Sequence, residues 1–486
     1  MRLLLFSVFR FVLFIASLLC FVPASQPPTF ALIGNESASI GPSARTEHQD
    51  SSGTVAIVHV SVIDMRGSSP LRDMAVTIVG GNISEIKKAD KISIPKGSLI
   101  VDGTGKYLIP GLWDMHVHLK QYGAPGLGFY IANGITGVRD MGGNLELIKT
   151  WKTQSDEGQL LAPKIYFTGP IIDGHADSDE DIIGAETEQE GRARVRELRQ
   201  GGVDFIKVYS TLKREVYFAI LDEAKKLNLR VVGHVPVSVS ASEASNAGQM
   251  SFEHLYGILA ECFEPEQKLT WRSPYSTNRQ LFAALGTYDE SRAKKLFSLF
   301  VKNSTWQVPT INNLRVFSFY GDESITTDVN LKYISADRLA KWQRPLPFKI
   351  LPEDTEQLRA VYQKHLELIG AMYRAGVPLM AGTDSGDRYT LPGFSLHDEL
   401  ELYAKAGIPA IDVLKIATVN PVRFLNLSKK YGTIEKGKKA DLVLLDANPI
   451  DAIGNTRKIA GVFRNGQYLP RAELDRILDR IRAMNP

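Results

Sequence analysis

His116-Val117-His118 closes an apolar stretch that begins Leu108-Ile109-Pro110-Gly111-Leu112-Trp113-Asp114. Residues i and i+2 of a strand share a face, so both imidazoles point the same way and can ligate one ion. By itself such a pair is equally two ordinary polar side chains at a strand end. Further runs shift the balance. Phe205-Ile206-Lys207-Val208-Tyr209 holds a lysine among apolar neighbours, His234 ends Val232-Gly233-His234-Val235, and His254 ends Phe252-Glu253-His254-Leu255. Asp384 lies in Met380-Ala381-Gly382-Thr383-Asp384-Ser385-Gly386. Each has a bland explanation, as a satisfied core histidine, a snorkelling lysine or an N-capping aspartate. Five strand ends agreeing on metal-ligand chemistry outweigh those explanations.

The elements that would position these groups follow from the hydrophobic pattern. Strand-like runs recur at Leu108–His118, Ile135–Asp140, Ile165–Ile172, Phe205–Ser210, Val231–Val235, Ser251–Leu255, Trp306–Ile311 and Leu379–Asp384. Helical sequence fills most gaps, as at Arg194–Arg199, Glu215–Leu227, Ala293–Val301 and Leu358–Ala375. Strands alternating with helices predict an α/β fold, a (β/α)8 barrel over 108–426, with functional residues at the C-terminal strand ends. The gap from Asn312 to about Glu356 is too long for a simple loop and predicts a lid or insertion over the barrel mouth. Short β-rich runs at Val55–Val60, Met74–Val79 and Leu99–Val101 match a second set at Ala440–Asp446 and Ile459–Phe463. They predict a small β-sandwich subdomain built from both chain ends, 54–107 and 427–470, followed by a terminal helix in 471–486.

The first residues read as an address rather than as structure. Arg2 and Arg10 precede an apolar run from Phe11 to Val22, too short to span a bilayer but suited to the core of a secretory signal. Val22-Pro23-Ala24 offers a cleavage point after Ala24, giving a signal peptide over 1–24 and a disordered linker over 25–53. The expected location is therefore periplasmic or secreted, with an uncleaved membrane anchor as the alternative and no stable membrane insertion once the signal is cleaved. Cleavage removes Cys20 and leaves Cys262 alone, so no internal disulfide is expected. The whole chain of 486 residues carries 57 basic and 54 acidic side chains, and this balance speaks against a nucleic-acid partner. A small-molecule substrate is the expected partner, and a homo-oligomer is compatible with the sequence.

From about Thr54 to Tyr468 the chain resembles the amidohydrolase superfamily, and most closely its metal-dependent members related to prolidases and imidazolonepropionases. The likeness rests on Asp102-Gly103-Thr104-Gly105-Lys106-Tyr107-Leu108-Ile109-Pro110-Gly111 before the His-x-His, and on Ala417-Thr418-Val419-Asn420-Pro421, Gly432-Thr433-Ile434 and Lys438-Lys439-Ala440-Asp441-Leu442 near the end. The resemblance implies that His116, His118 and Asp384 hold one metal, that His234 and His254 hold a second, and that Lys207 carries a carbon dioxide-derived carbamate bridging the two. Zinc is the implied ion, with manganese, cobalt or iron as substitutes at the same donors. The implied reaction is hydrolysis of an amide or other C–N bond, in a dipeptide, an N-acyl amino acid or a cyclic amide. In it an ionised water attacks the carbonyl, and Asp384 accepts the proton and delivers it to the leaving amine. A lactone or ester would pass through the same steps, and a catalytically silent binding relative is the reading from another class. Among substrate contacts the expectations are His175 after the third strand, Tyr209 on the face of Lys207, and Arg388 as a partner for a carboxylate. Asp114 is expected to orient a ligand, and His397 to be structural. Pro236 and Val237 follow the fifth-strand histidine where many dipeptidase-like relatives carry a tyrosine.

Overall fold

The computed structural model describes residues 53–176, 181–263, 280–344 and 352–484. The expected signal and nearly all of the linker lie outside the described residues. The N-terminal strands are β1 (Thr54–Val62), β2 (Leu71–Val79), β3 (Asn82–Lys88), β4 (Leu99–Asp102) and β5 (Tyr107–Pro110). The middle of the chain contributes β6 (Leu112–Val117), β7 (Ile135–Asp140), β8 (Lys164–Phe167), β9 (Ile171–Asp173), β10 (Ile182–Gly184), β11 (Phe205–Val208), β12 (Arg230–Gly233), β13 (Ser251–Glu253) and β14 (Trp306–Val308). The last strands are β15 (Leu442–Leu445), β16 (Ile459–Arg464) and β17 (Gln467–Pro470), and the helix Arg471–Met484 follows them.

The two chain ends share one sheet of order β17-β16-β15-β5-β1-β2-β3, with β4 also paired to β1. Its seam is the antiparallel ladder in which Val443 faces Ile109 and Leu444 faces Leu108. Alternating apolar residues from both ends, among them Val55, Ile57, Val76, Ile78, Leu108, Leu442, Leu444 and Phe463, bury one cluster. The run Leu108–His118, read as a single strand, is divided here. Its first part, β5, belongs to the terminal sheet, and β6 turns away to pair in parallel with β7. Gly111 is the joint, where a Cβ would run into the Thr136 side chain.

The middle strands are parallel, in orders β6-β7-β8 and β10-β9-β11-β12-β13-β14. Backbone bonds reach between these sets. The Asp204 N–H donates to Phe167 O at 2.9 Å, Met115 N–H to Ala381 O at 2.8 Å, and Met380 N–H to Gln307 O at 2.9 Å. The stretch 378–385 therefore runs between β14 and β6, but it forms isolated bridges and not the regular strand expected at Leu379–Asp384. Helices return the chain to successive strands, and their ends are written locally. Thr187 and Glu190 form a reciprocal cap on Glu188–Gly201 before β11, and Ser240 and Glu243 do the same on Ala241–Ala247 before β13. Inside, Phe205, Val232, Trp306, Val308 and Met380 pack with Trp113 and Met115. Phe205 and Val232 each precede a polar site residue by two, so one strand face passes from apolar core to polar end. The expected gap after Asn312 holds the helices Ile311–Ser318, Glu323–Thr326 and Ala336–Gln343.

Two buried histidines lie away from the strand ends. His365 donates from Nδ1 to Val361 O at 2.8 Å, and His397 pairs through Nδ1 with Thr456 Oγ1 at 2.9 Å. Burial pulls their pKa values down to about 4 and about 3. The folded state thus refuses protons that the unfolded chain takes up below about pH 6.5. Stability is full above that pH and falls as the pH drops towards 4, by at most about 1.4 kcal/mol per pH unit for each group. Denaturant titrations from pH 7 to pH 4.5 should show a shallower decline in His397→Gln than in the parent chain.

Candidate metal centre

β6 ends at Val117, so His116 lies on the strand and His118 just beyond it. The 378–385 stretch runs alongside, with Asp384 N–H donating to His116 O at 2.8 Å. Gly382 permits this approach, since a Cβ would sit 2.9 Å from His116 Cβ. Asp384 itself has φ +62°, which turns its carboxylate out of the strand direction. Its Oδ1 lies 3.1 Å from His118 Nε2 and 3.4 Å from His116 Nε2, and Oδ2 lies 3.8 Å from His254 Nδ1. Donor atoms of His116, His254 and Asp384 all fall within 4.8 Å of one another. The His254 ring centroid is 4.7 Å from that of His116 and 4.9 Å from that of His234. Lys207 Nζ, buried, stands 3.3 Å from His116 Nε2. The six donors predicted from sequence are thus brought together.

Each of the four imidazoles is held through Nδ1. His116 Nδ1 meets Glu253 Oε2 at 2.9 Å, and His118 Nδ1 meets Gly142 O at 3.2 Å. Carboxylate and carbonyl only accept, so both rings carry a proton on Nδ1. His116 thereby offers Nε2, whereas at His118 the effect of burial is outweighed by Asp384, which faces Nε2 and raises the pKa. His234 Nδ1 pairs with Ser210 Oγ and His254 Nδ1 with Thr310 Oγ1, both at 2.7 Å. His234 Nε2 is buried and has no hydrogen-bond partner among the described residues. A buried, unpartnered ring nitrogen beside further imidazoles and a carboxylate fits a metal ligand.

Burial sets the electrostatics. It drives the His116 and His234 pKa values well below the ordinary range and His254 to about 4, which keeps these rings neutral and able to donate a lone pair. Burial brings the Lys207 ammonium down to about 8. It would raise Asp384, but His254, His118 and Lys207 overcome it and hold the carboxyl below its usual range. Beneath the site lies a charge pair that sequence reasoning missed. Arg139 donates from Nη2 to Glu253 Oε1 at 2.9 Å, from Nε to Met115 O at 2.6 Å and from Nη1 to Ser251 Oγ at 3.0 Å. A glutamate and an arginine inside apolar strands, in Ser-Phe-Glu and Val-Arg-Asp, were the available signal.

The other expected residues are distributed differently. The Tyr209 ring sits 4.1 Å from the His234 ring and completes one wall, with Tyr256 at 4.6 Å on another side. Asp114 accepts from Thr383 N–H at 3.0 Å and from Thr383 Oγ1 at 2.7 Å, so it orients the residue before Asp384. Arg388 donates from Nη1 to Tyr320 OH and to the carbonyls of Trp342 and Arg344 at 2.9–3.2 Å, tying the insertion to the Asp384 loop. His175 is largely exposed, 3.8 Å from Glu186. His397 lies away from the strand ends on the helix Phe394–Lys405.

A group of strand-end imidazoles with a carboxylate, on parallel strands linked by helices, defines an α/β protein whose donors suit a metal ion. The Amidohydrolase family profile matches residues 324–469. Ochratoxinase from Aspergillus niger is 21% identical over 466 residues, covering 82% of this chain and 82% of the relative. Imidazolonepropionase from Thermoplasma acidophilum is 23% identical over 396 residues, covering 78% and 84%. The crystal structure of a Xaa-Pro dipeptidase with bound methionine superimposes with a TM-score of 0.63 at 21% identity, covering 86% of this chain and 100% of that one. Together these likenesses support the amidohydrolase superfamily.

Replacing Glu253 by Gln removes the charge facing Arg139 and leaves one acceptor oxygen where Arg139 and His116 each use one. Breaking one side of such a buried pair costs about 3–5 kcal/mol. Loss of an orienting partner weakens metal binding by about 10–100-fold. Denaturant unfolding and zinc titration of Glu253→Gln should show both effects.

Proposed function

We propose that this chain is a metal-dependent hydrolase of an amide or other C–N bond in a small molecule. The observation that carries the reading is the set of four imidazoles, each turned by an Nδ1 partner, around Lys207 and Asp384. Hydrolases named ochratoxinase, imidazolonepropionase and Xaa-Pro dipeptidase among its relatives and structural neighbours support it. His116, His118 and Asp384 would hold one ion, and His234 and His254 a second, with zinc the ion best suited to neutral imidazole and carboxylate donors. A carbamate on Lys207 would bridge them, and the buried amine 3.3 Å from His116 Nε2 supports that assignment. Bound dications would polarise the scissile carbonyl and acidify the attacking water.

The remaining chemistry belongs to the chain. Asp384, held ionised by its cationic surroundings, accepts the proton of the attacking water and returns it to the departing nitrogen. Tyr209 and Tyr256 wall the substrate position and exclude water from the imidazoles. The parallel strands are read as a closed (β/α)8 barrel and the terminal strands as a sandwich subdomain. The bonds from Phe167 to Asp204, from β14 to Met380 and from Ala381 to β6 support closure. Export with cleavage after Ala24 is proposed from residues 1–24 alone. Among the described residues no helix is long and apolar enough to cross a membrane.

Metal analysis of the purified chain should find zinc or a related dication, and mass spectrometry of the native protein the added mass of one carbon dioxide. A panel of dipeptides, N-acyl amino acids, cyclic amides and lactones should reveal turnover of an amide. Asp384→Asn should lower kcat by about 10²–10⁴-fold with the metal retained at one or both positions. A folded, metal-free preparation that stays inactive after zinc and bicarbonate are added would defeat the enzyme reading and favour a binding role.

A further inference from the structure

Thr310 is the residue before the helix Ile311–Ser318, and its backbone lies in the left-handed region at φ +45°, ψ 43°. A β-branched side chain is strained there, and such a conformation persists only where its surroundings over-determine it. The restraint comes from Glu399, on the distant helix Phe394–Lys405. Glu399 Oε1 accepts from Ile311 N–H at 3.0 Å and Oε2 from Asn312 N–H at 2.7 Å. First-turn N–H groups have no partner within their own helix. Glu399, Thr310, Ile311 and Asn312 are all fully buried, so water does not replace the carboxylate.

The turn held in this way carries a site contact. Thr310 Oγ1 lies 2.7 Å from His254 Nδ1, and with the hydroxyl accepting from that nitrogen the ring keeps Nε2 for an ion. His254 and Leu255 also have left-handed backbones, at φ +60° and +57°, so the ring's direction rests on its side-chain partner more than on a regular strand. The same helix reaches the other half of the site one turn later, where Tyr403 OH donates to Met380 O at 3.1 Å, four residues before Asp384.

We propose that Glu399 is a positioning residue for the metal centre: by clamping the Ile311 and Asn312 N–H groups it holds Thr310 in its left-handed turn, and the Thr310 hydroxyl in turn fixes the His254 imidazole for ligation. This inference rests on the metal-site reading above. Glu399 touches neither substrate nor ligand. Its carboxylate needs both oxygens, so Gln, with one acceptor and one donor, breaks half of the clamp.

The test is cobalt(II) and zinc(II) binding to the metal-stripped chain by equilibrium dialysis, with the visible spectrum of the cobalt form and the melting temperature recorded in parallel. Glu399→Gln and Thr310→Val should each weaken affinity for at least one ion about tenfold or more and shift the cobalt absorption. Thr310→Ser, which keeps the hydroxyl, should stay close to the parent, and the double variant should be no worse than the weaker single one. Parental affinity and spectrum in Thr310→Val and Glu399→Gln, with only a lower melting temperature, would overturn the inference and leave a structural cap. If Glu399→Gln does not fold, the contrast between Thr310→Val and Thr310→Ser decides. A parent chain that binds neither ion removes the metal-site reading itself, and this inference with it.

Discussion

The site depends on one constraint, that every imidazole must be held by one nitrogen so that the other is available. Neutral histidine has one donor and one acceptor, and the tautomer follows from the partner of Nδ1. Glu253 and Gly142 O impose that choice on His116 and His118, and Ser210 and Thr310 engage His234 and His254. Burial reinforces it at His116, His234 and His254 by making protonation of those rings costly. The resulting cluster is poor in hydrogen bonds on its inner side, most plainly at His234 Nε2. That deficit is tolerable in a folded protein when a cation satisfies it.

Holding the partners in place is the work of the surrounding fold. Glu253 would be an isolated buried charge without Arg139, whose guanidinium reaches Met115 and Ser251 as well. Arg139 lies over the Phe424 ring at 5.3 Å, and Arg230 covers the Phe205 and Phe424 rings. Polar site and apolar interior are thus one continuous packing problem. The terminal sheet contributes indirectly, since β5 runs through Gly111 into β6 and delivers His116 from a ladder that both chain ends share.

The insertion after β14 is tied to this arrangement at both of its described ends. At its start Glu399 clamps the first turn next to Thr310, and towards its end Arg388 gathers Tyr320 OH and the carbonyls of Trp342 and Arg344. The guanidinium expected to meet a substrate carboxylate is therefore engaged in tethering. Three acceptors already surround its Nη1, and a carboxylate would have to compete with them.

Much of the site was legible in the sequence because its donors are local events. A histidine at the end of an apolar run reads the same way in the chain and in the fold. The helix Arg471–Met484 follows a local periodicity in the same way. The division of Leu108–His118 at Gly111 was not, because an unbroken apolar run does not show which sheet each half joins. Nor were Glu253, Arg139, Thr310 and Glu399, or the diversion of Arg388. Periodicity records which face of an element is apolar, so the sequence by itself determined the donor types, their strand-end positions and the α/β alternation. Which nitrogen each imidazole offers was decided only by tertiary structure, because the partners that set it, such as Glu253 for His116 across 137 positions, meet through long-range packing.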